Sequence, residues 1–225
     1  MQNVSDLPTA LSVRSVFISD VHLGFPGCSA EHLAHFLRSI RCQNLYLVGD
    51  IIDFWYMKKR RYWAQSHNNV VRCILGKAKH DTRVYFIPGN HDESLRQYDG
   101  LRMGNVMLHN EMIHVTADGR RLLILHGDQF DCVVRNSRFL ALLGSKLYDW
   151  LLRANRFVNW CRARLGKEYW SLAKFLKHKV KNAVQYIGRF ESAVAAEASR
   201  QGVDGLICGH IHHAEISEID DVLYL

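Results

Sequence analysis

The chain has 225 residues, 48% of them hydrophobic and 23% charged, with a formal net charge of +7. That balance excludes disordered and collagen-like chains, and the length suffices to bury a full core in one α/β domain or one domain carrying an insertion. Six cysteines with no C-x-x-C pair speak against a zinc ribbon or a thioredoxin-type site, and reduced thiols in a cytosolic compartment are the simpler expectation. Met1 to Ser12 shows no basic region followed by an apolar stretch, so a secretory signal is not expected. No apolar run approaches the length of a bilayer span. A cytoplasmic protein follows, with attachment to the inner face of a membrane left open.

Arg14 to Ser19, β-branched and aromatic, predicts a buried strand ending at Asp20. Ser29 is placed to cap a helix whose apolar Leu33, Phe36, Leu37 and Ile40 recur on one face. Asn44 to Val48 predicts a second strand, Asn68 to Lys79 a helix and Arg83 to Ile87 a third strand, broken by Pro88, Gly89 and Asn90. Strands alternating with helices imply a largely parallel sheet. From Val106 to Leu125 the runs shorten, and Asp118-Gly119 supplies a hairpin turn between Glu111 to Thr116 and Arg120 to Leu125. Residues 135–201 read as a helical insertion or lid. Within it, Arg135 to Arg189 carries thirteen Lys and Arg against Asp149 and Glu168, a basic segment suited to phosphate-bearing partners. Asp204 to Cys208 predicts a further strand and Ala214 to Leu225 a hairpin, at whose second strand the chain ends, so an incomplete C-terminus is expected.

Five polar clusters each follow a strand: Asp20-Val21-His22, Gly49-Asp50-Ile51-Ile52-Asp53, Gly89-Asn90-His91-Asp92, His126-Gly127-Asp128 and Gly209-His210-Ile211-His212. Loops beyond the carboxyl ends of strands in an open α/β sheet converge on one crevice. Carboxylates, an amide and imidazoles without thiolate suit two divalent ions such as Mn, Fe or Zn. Asp50 is the natural bridge, with Asp20, His22 and His212 completing one site and Asn90, His126 and His210 the other.

The series D-x-H, G-D-x-x-D, G-N-H-D, a later His and G-H-x-H resembles the calcineurin-like metallophosphoesterase family. The resemblance implies an α/β sandwich of two mixed sheets flanked by helices, with the insertion as a lid. It assigns Asp20, His22, Asp50, Asn90, His126, His210 and His212 as metal ligands. It gives His91 the role of contacting the phosphate and protonating the leaving group, with Asp53 and Asp92 orienting His22, His91 or neighbouring amides beside it. FISDVHLG, LVGDIIDFW, LHGDQFD and the long insertion are similar to the branch of UDP-2,3-diacylglucosamine pyrophosphatases of bacterial lipid A synthesis. That likeness implies a nucleotide-diphosphate lipid cleaved with manganese to UMP and a lipid phosphate, and an anionic membrane surface as neighbour. Candidate substrate contacts are then Asn90, His91, Asp131, Lys177, Lys181 and His210. The chain departs from the branch at His91, where the branch carries Arg. A phosphodiesterase or phosphatase of other specificity, a metal-dependent nuclease and a scaffold without activity are the alternatives; nucleic acid is disfavoured because the basic residues share their helices with large apolar side chains.

The remaining histidines invite blander readings. His32, His35 and His67 are expected at the surface, His109 and His114 as structural residues of the antiparallel strands, and His213 outside the ligand set. Asp128 is expected to cap a turn, and Trp150, Trp160 and Trp170 to belong to a helical core.

Overall fold

A computed structural model describes residues 11–130, 164 and 190–225 apart from 213. The chain divides into two compact units, Met1–Gln129 with Ala195–Leu225 and Phe130–Val194, and every described strand belongs to the first. Most of the expected insertion, with Asp131, Lys177, Lys181 and the three insertion tryptophans, lies outside the described residues.

Among the described residues, ten strands form two mixed sheets. The first runs β1 (Leu11–Ile18), β2 (Ile40–Val48), β3 (Arg83–Ile87), β5 (Val106–Leu108), β4 (Arg102–Met103). Its strands are parallel except for β4, which turns back against β5. The second sheet runs β6 (Met112–Val115), β7 (Arg121–Ile124), β8 (Gly205–Ile207), β10 (Val222–Tyr224), β9 (Ser217–Ile219). There β7, β8 and β10 are parallel, and β6 and β9 are antiparallel edges. The hairpin expected at Asp118-Gly119 is therefore the start of this second sheet. Three helices, α1 (Ala30–Ser39), α2 (Phe54–Lys59) and α3 (Gln65–Lys79), connect the strands of the first sheet.

Strand β2 shows why two faces can be buried at once. Side chains alternate across a strand, and Leu45 and Leu47 join a core with Ala34 and Leu37 of α1 and Val70 and Ile74 of α3. Their neighbours Tyr46 and Val48 face the other way, into a core with Leu122 and Ile124 of β7 and Ile207 of β8. Apolar residues at every position of β2's second half thus give a helix layer, a sheet and a second sheet.

Several boundaries differ from the sequence reading. β2 begins at Ile40 because Ile40, Arg41 and Cys42 pair in register with Leu11, Ser12 and Val13, a partner that the polar run does not reveal. α2 has no counterpart in the sequence reading; Asp53 caps it by accepting from the Tyr56 amide at 2.8 Å. Ser29 stands at the N-cap of α1 but makes no side-chain capping bond, and only its carbonyl is used, by the Leu33 amide. Among the described residues no helix is long and apolar enough to cross a membrane.

Candidate metal centre

Five parallel strands, β1, β2, β3, β7 and β8, end at Ile18, Val48, Ile87, Ile124 and Ile207, and the five polar clusters follow those ends directly. The loops are laced together by backbone bonds: Gly49 N–H to Ile87 C=O at 2.7 Å, Asp20 to Gly49 at 3.1 Å, His22 to Asp50 at 2.9 Å and Gly209 to His126 at 3.1 Å. The His210 amide, on the second sheet, donates to the Asp20 carboxylate of the first at 3.1 Å. Residues 190 positions apart in sequence are thereby fixed to one another.

The backbone carrying these residues is unusual. Asp20, His22, Asp50, His210 and His212 all have positive φ, between 53° and 73°. The left-handed conformation costs a non-glycine residue about 1–3 kcal/mol and tends to gather at functional sites. The other left-handed non-glycine residues among the described ones, Asp81, Asp220 and Asp221, are short acidic side chains, the type that tolerates this region in turns. The motif glycines have a different reason. A Cβ on Gly89 would strike Asp50 Oδ1, and one on Gly209 would strike Asp20 Oδ2. Each glycine in G-N and G-H therefore leaves room for the carboxylate of another motif.

Asp50 occupies the middle. Its Oδ1 accepts from the His91 amide at 2.8 Å. Its Oδ2 faces three imidazole Nε2 atoms, His126 at 3.4 Å, His91 at 3.8 Å and His22 at 3.9 Å. Burial pushes the Asp50 carboxyl upward, but His126 and His91 outweigh it and hold its pKa down at about 2. The converse holds for His126, where burial disfavours the imidazolium and Asp50 more than compensates, raising its pKa. Asp20 and His212 form a second such pair at 3.2 Å. Despite burial Asp20 is held low, chiefly by His212, and His212 is raised by Asp20. His22 goes the other way, lowered by burial.

Asp53 and Asp92 touch the cluster from behind. Asp53 Oδ1 lies 2.9 Å from His91 Nδ1 and its Oδ2 lies 3.5 Å from His22 Nδ1, so one carboxylate engages two rings and turns both Nε2 atoms toward Asp50. Trp55 flanks His91, with ring centroids 4.5 Å apart. Asp92 is completely buried and receives the amides of Ile51, Ile52 and Gly89. It therefore shapes the loops that present Asp50 and Asn90 and does not face the crevice. Burial pushes its pKa up, against the pull of those amides. Asp92→Asn keeps one acceptor and turns an amide N–H₂ toward backbone donors. The expected result is a loss of about 2–4 kcal/mol in denaturant unfolding, as for one or two buried donors left unpaired. An unchanged midpoint would show that the three bonds do not hold the loops.

Among the described residues, three side-chain groups collect donor atoms within 4.8 Å of one another: Asp20, His22 and His212; His22, Asp50 and His91; Asp20, Asp50 and His126. The donors also fit divalent cations on a second count. His22 Nε2, Asn90 Oδ1 and His126 Nε2 are buried without a hydrogen-bond partner, and a native interior rarely leaves such atoms unsatisfied. The 3.4 Å separation of His126 Nε2 from Asp50 Oδ2 is too long for a good hydrogen bond. His210 lies beside His126, with ring centroids 5.1 Å apart. The structure thus brings together Asp20, His22, Asp50, His91, His126, His210 and His212, with Asn90 buried in the loop that carries His91 and with Asp53 and Asp92 behind them.

Sequence reasoning misplaced one residue and missed another. His67, expected at the surface, is 2% exposed and its Nδ1 accepts from the Gly24 amide at 3.0 Å; its place on the inner face of α3, beside Val70 and Ile74, is the signal that points inward. Arg96 carries no motif, yet it donates to Pro88 C=O at 3.2 Å and to Asp128 Oδ1 at 2.6 Å, tying the Asn90 loop to the His126 loop. Asp128, expected only to cap a turn, is the partner in that ion pair.

Carboxylates and imidazoles converging from the strand ends of two sheets, with buried donors left unsatisfied, define a metal-dependent phosphoesterase. The family model for calcineurin-like phosphoesterases matches residues 13–214. A UDP-2,3-diacylglucosamine hydrolase from Aliivibrio fischeri is 27% identical over 209 residues, 89% of this chain and 82% of that protein. One from Blochmanniella pennsylvanica is 31% identical over 116 residues, 50% of this chain and 46% of that protein. A solved structure of a Vps29 mutant from Entamoeba histolytica aligns over 93% of this chain and 72% of that one, at 14% identity and a TM-score of 0.41. The chain belongs to the calcineurin-like phosphoesterase family.

Proposed function

We propose that this protein hydrolyses the pyrophosphate bond of a nucleotide-diphosphate lipid, of the UDP-2,3-diacylglucosamine kind, to a nucleoside monophosphate and a lipid phosphate at the inner face of the membrane. Asp20, His22, His212 and Asp50 hold one divalent cation, and Asn90, His126, His210 and Asp50 the other, with manganese the ion expected. When bound, the pair supplies the positive charge and the activated water that displacement at phosphorus requires. The observation that carries the reading is the ring of Nε2 atoms around Asp50 Oδ2, two of them orphaned.

His91 has a separate part. Asp53 Oδ1 accepts the hydrogen bond from His91 Nδ1–H, so the neutral tautomer which that bond selects leaves Nε2 unprotonated, and a protonated ring offers at Nε2 the proton that a departing oxygen needs. Trp55 limits the ring's movement on one side. The lipid substrate is supported by relatives that carry the hydrolase name along most of their length and by the thirteen cations of Arg135 to Arg189 interleaved with large apolar residues, a composition suited to an anionic interface.

The test is manganese-dependent release of UMP from UDP-2,3-diacylglucosamine, run beside bis-p-nitrophenyl phosphate. UMP release is the expected result. Cleavage of the aryl diester alone would keep the two-cation chemistry and discard the lipid substrate.

A further inference from the structure

We infer that His67 is a positioning residue for the cation site, its Nδ1 holding the Gly24 amide and thereby fixing the turn from which Asp20 and His22 project. This rests on the reading of Asp20 and His22 as cation ligands.

The turn from Asp20 to Gly24 has little regular structure to hold it. Asp20 and His22 are left-handed, at φ 53° and 54°, and Gly24 has φ 101°. Its first part is tied by bonds from Asp20 and His22 to the Gly49 and Asp50 carbonyls, and Leu23 bonds to Ile51 at 2.8 Å. At the far end the Gly24 amide has a side-chain acceptor instead, His67 Nδ1 at 3.0 Å. That bond spans 43 residues of sequence and joins the turn to the first helical turn of α3.

His67 is built to stay an acceptor. Tyr62 and Trp63 set their rings edge-on to it, at centroid distances of 5.6 and 5.4 Å. Burial pushes its pKa below the usual imidazole value, so near neutral pH the ring is uncharged and the Nδ1 lone pair is available to the amide. The bond fixes the neutral tautomer with its proton on Nε2. A histidine that merely filled space would need no particular nitrogen facing Gly24. Groups of this kind, which touch no cation but orient those that do, typically change affinity by about 10–100-fold when removed.

Asparagine and glutamine separate the two cases. His67→Asn underfills the volume of the ring but presents an Oδ1 where Nδ1 stands; His67→Gln matches the volume better and moves the acceptor one bond further out. The experiment is calorimetric titration of manganese into the chelator-stripped full chain, with His67→Asn, His67→Gln and His22→Ala beside it and the melting temperature of each recorded. His67→Asn is expected within about threefold of the unaltered affinity and His67→Gln weakened about tenfold or more. With both folded, hydrolysis of bis-p-nitrophenyl phosphate at saturating manganese is expected to follow the same order in kcat with KM little changed. Equal affinities for the glutamine variant and the unaltered chain, or equal losses for both amides, would overturn the inference. If that happens while His22→Ala has lost binding, the ligand reading stands and only the role of His67 falls; if His22→Ala binds as tightly as the unaltered chain, the ligand reading itself fails.

Discussion

Asp50→Ala is expected to lower the rate of aryl phosphodiester hydrolysis by about 10²–10⁴-fold, because losing the shared anionic oxygen would forfeit several kcal/mol of the cations' stabilisation of transition-state charge, with a tenfold change in rate for every 1.36 kcal/mol. The reason is the number of groups that converge on one side chain. Oδ1 fixes the His91 amide, and Oδ2 is the common neighbour of His22, His91 and His126. Alanine removes both functions. Asp50→Asn separates them, because it can still accept the His91 amide proton while it no longer offers an anionic oxygen to a cation. If charge at Oδ2 is the essential part, asparagine is as inactive as alanine in steady-state turnover while its backbone loop, followed by amide exchange at His91, stays intact. Asparagine retaining more than about a tenth of the unaltered rate, a cost under one 1.36 kcal/mol step, would remove Asp50 from the centre of the reaction.

The candidate site was legible in the sequence because its residues are concentrated in short motifs at strand ends. Asp20, Asp50, Asn90, His126 and His210 each follow an apolar run that reads as a strand by itself, and parallel strands place such ends on one side of the sheet. What could not be read is what depends on partners far along the chain. The start of β2 is set by its register with β1, and the burial of His67 by the packing of α3 beside Gly24. Likewise the ion pair of Arg96 with Asp128 joins two loops that are separated by two hairpins. The motif glycines lie between these extremes: Gly89 and Gly209 are conspicuous in sequence as chain breakers, yet their reason is the carboxylate of another motif occupying the place of a side chain. Local pattern reveals the element and the candidate ligand type, whereas contact order hides the groups that hold those residues in place.

Stripping the protein with a chelator is expected to lower its melting temperature by about 5–10 °C relative to protein in manganese at a hundred times the dissociation constant, since that excess contributes about 2.7 kcal/mol and each kcal/mol is worth about 2–4 °C in a chain of this size. The donors that a cation would satisfy are already in place. His22 Nε2, Asn90 Oδ1 and His126 Nε2 are buried without partners, and five left-handed residues surround them. Protons are the competing occupants. Asp50 raises the pKa of His126 and Asp20 raises that of His212. A histidine whose pKa is raised on folding stabilises the folded chain below its unfolded value, and that contribution is lost as pH rises through the folded one. The metal-free fold therefore gains most from these imidazolium pairs in mild acid. There a cation must also displace the protons to bind. Both effects act in the same direction, so the manganese-dependent rise in melting temperature should shrink on going from about pH 8 to about pH 6, across the ordinary imidazole range. A rise as large at the lower pH, measured at equal free manganese, would mean that His126 and His212 do not give up protons to the cation and so are not both among its ligands.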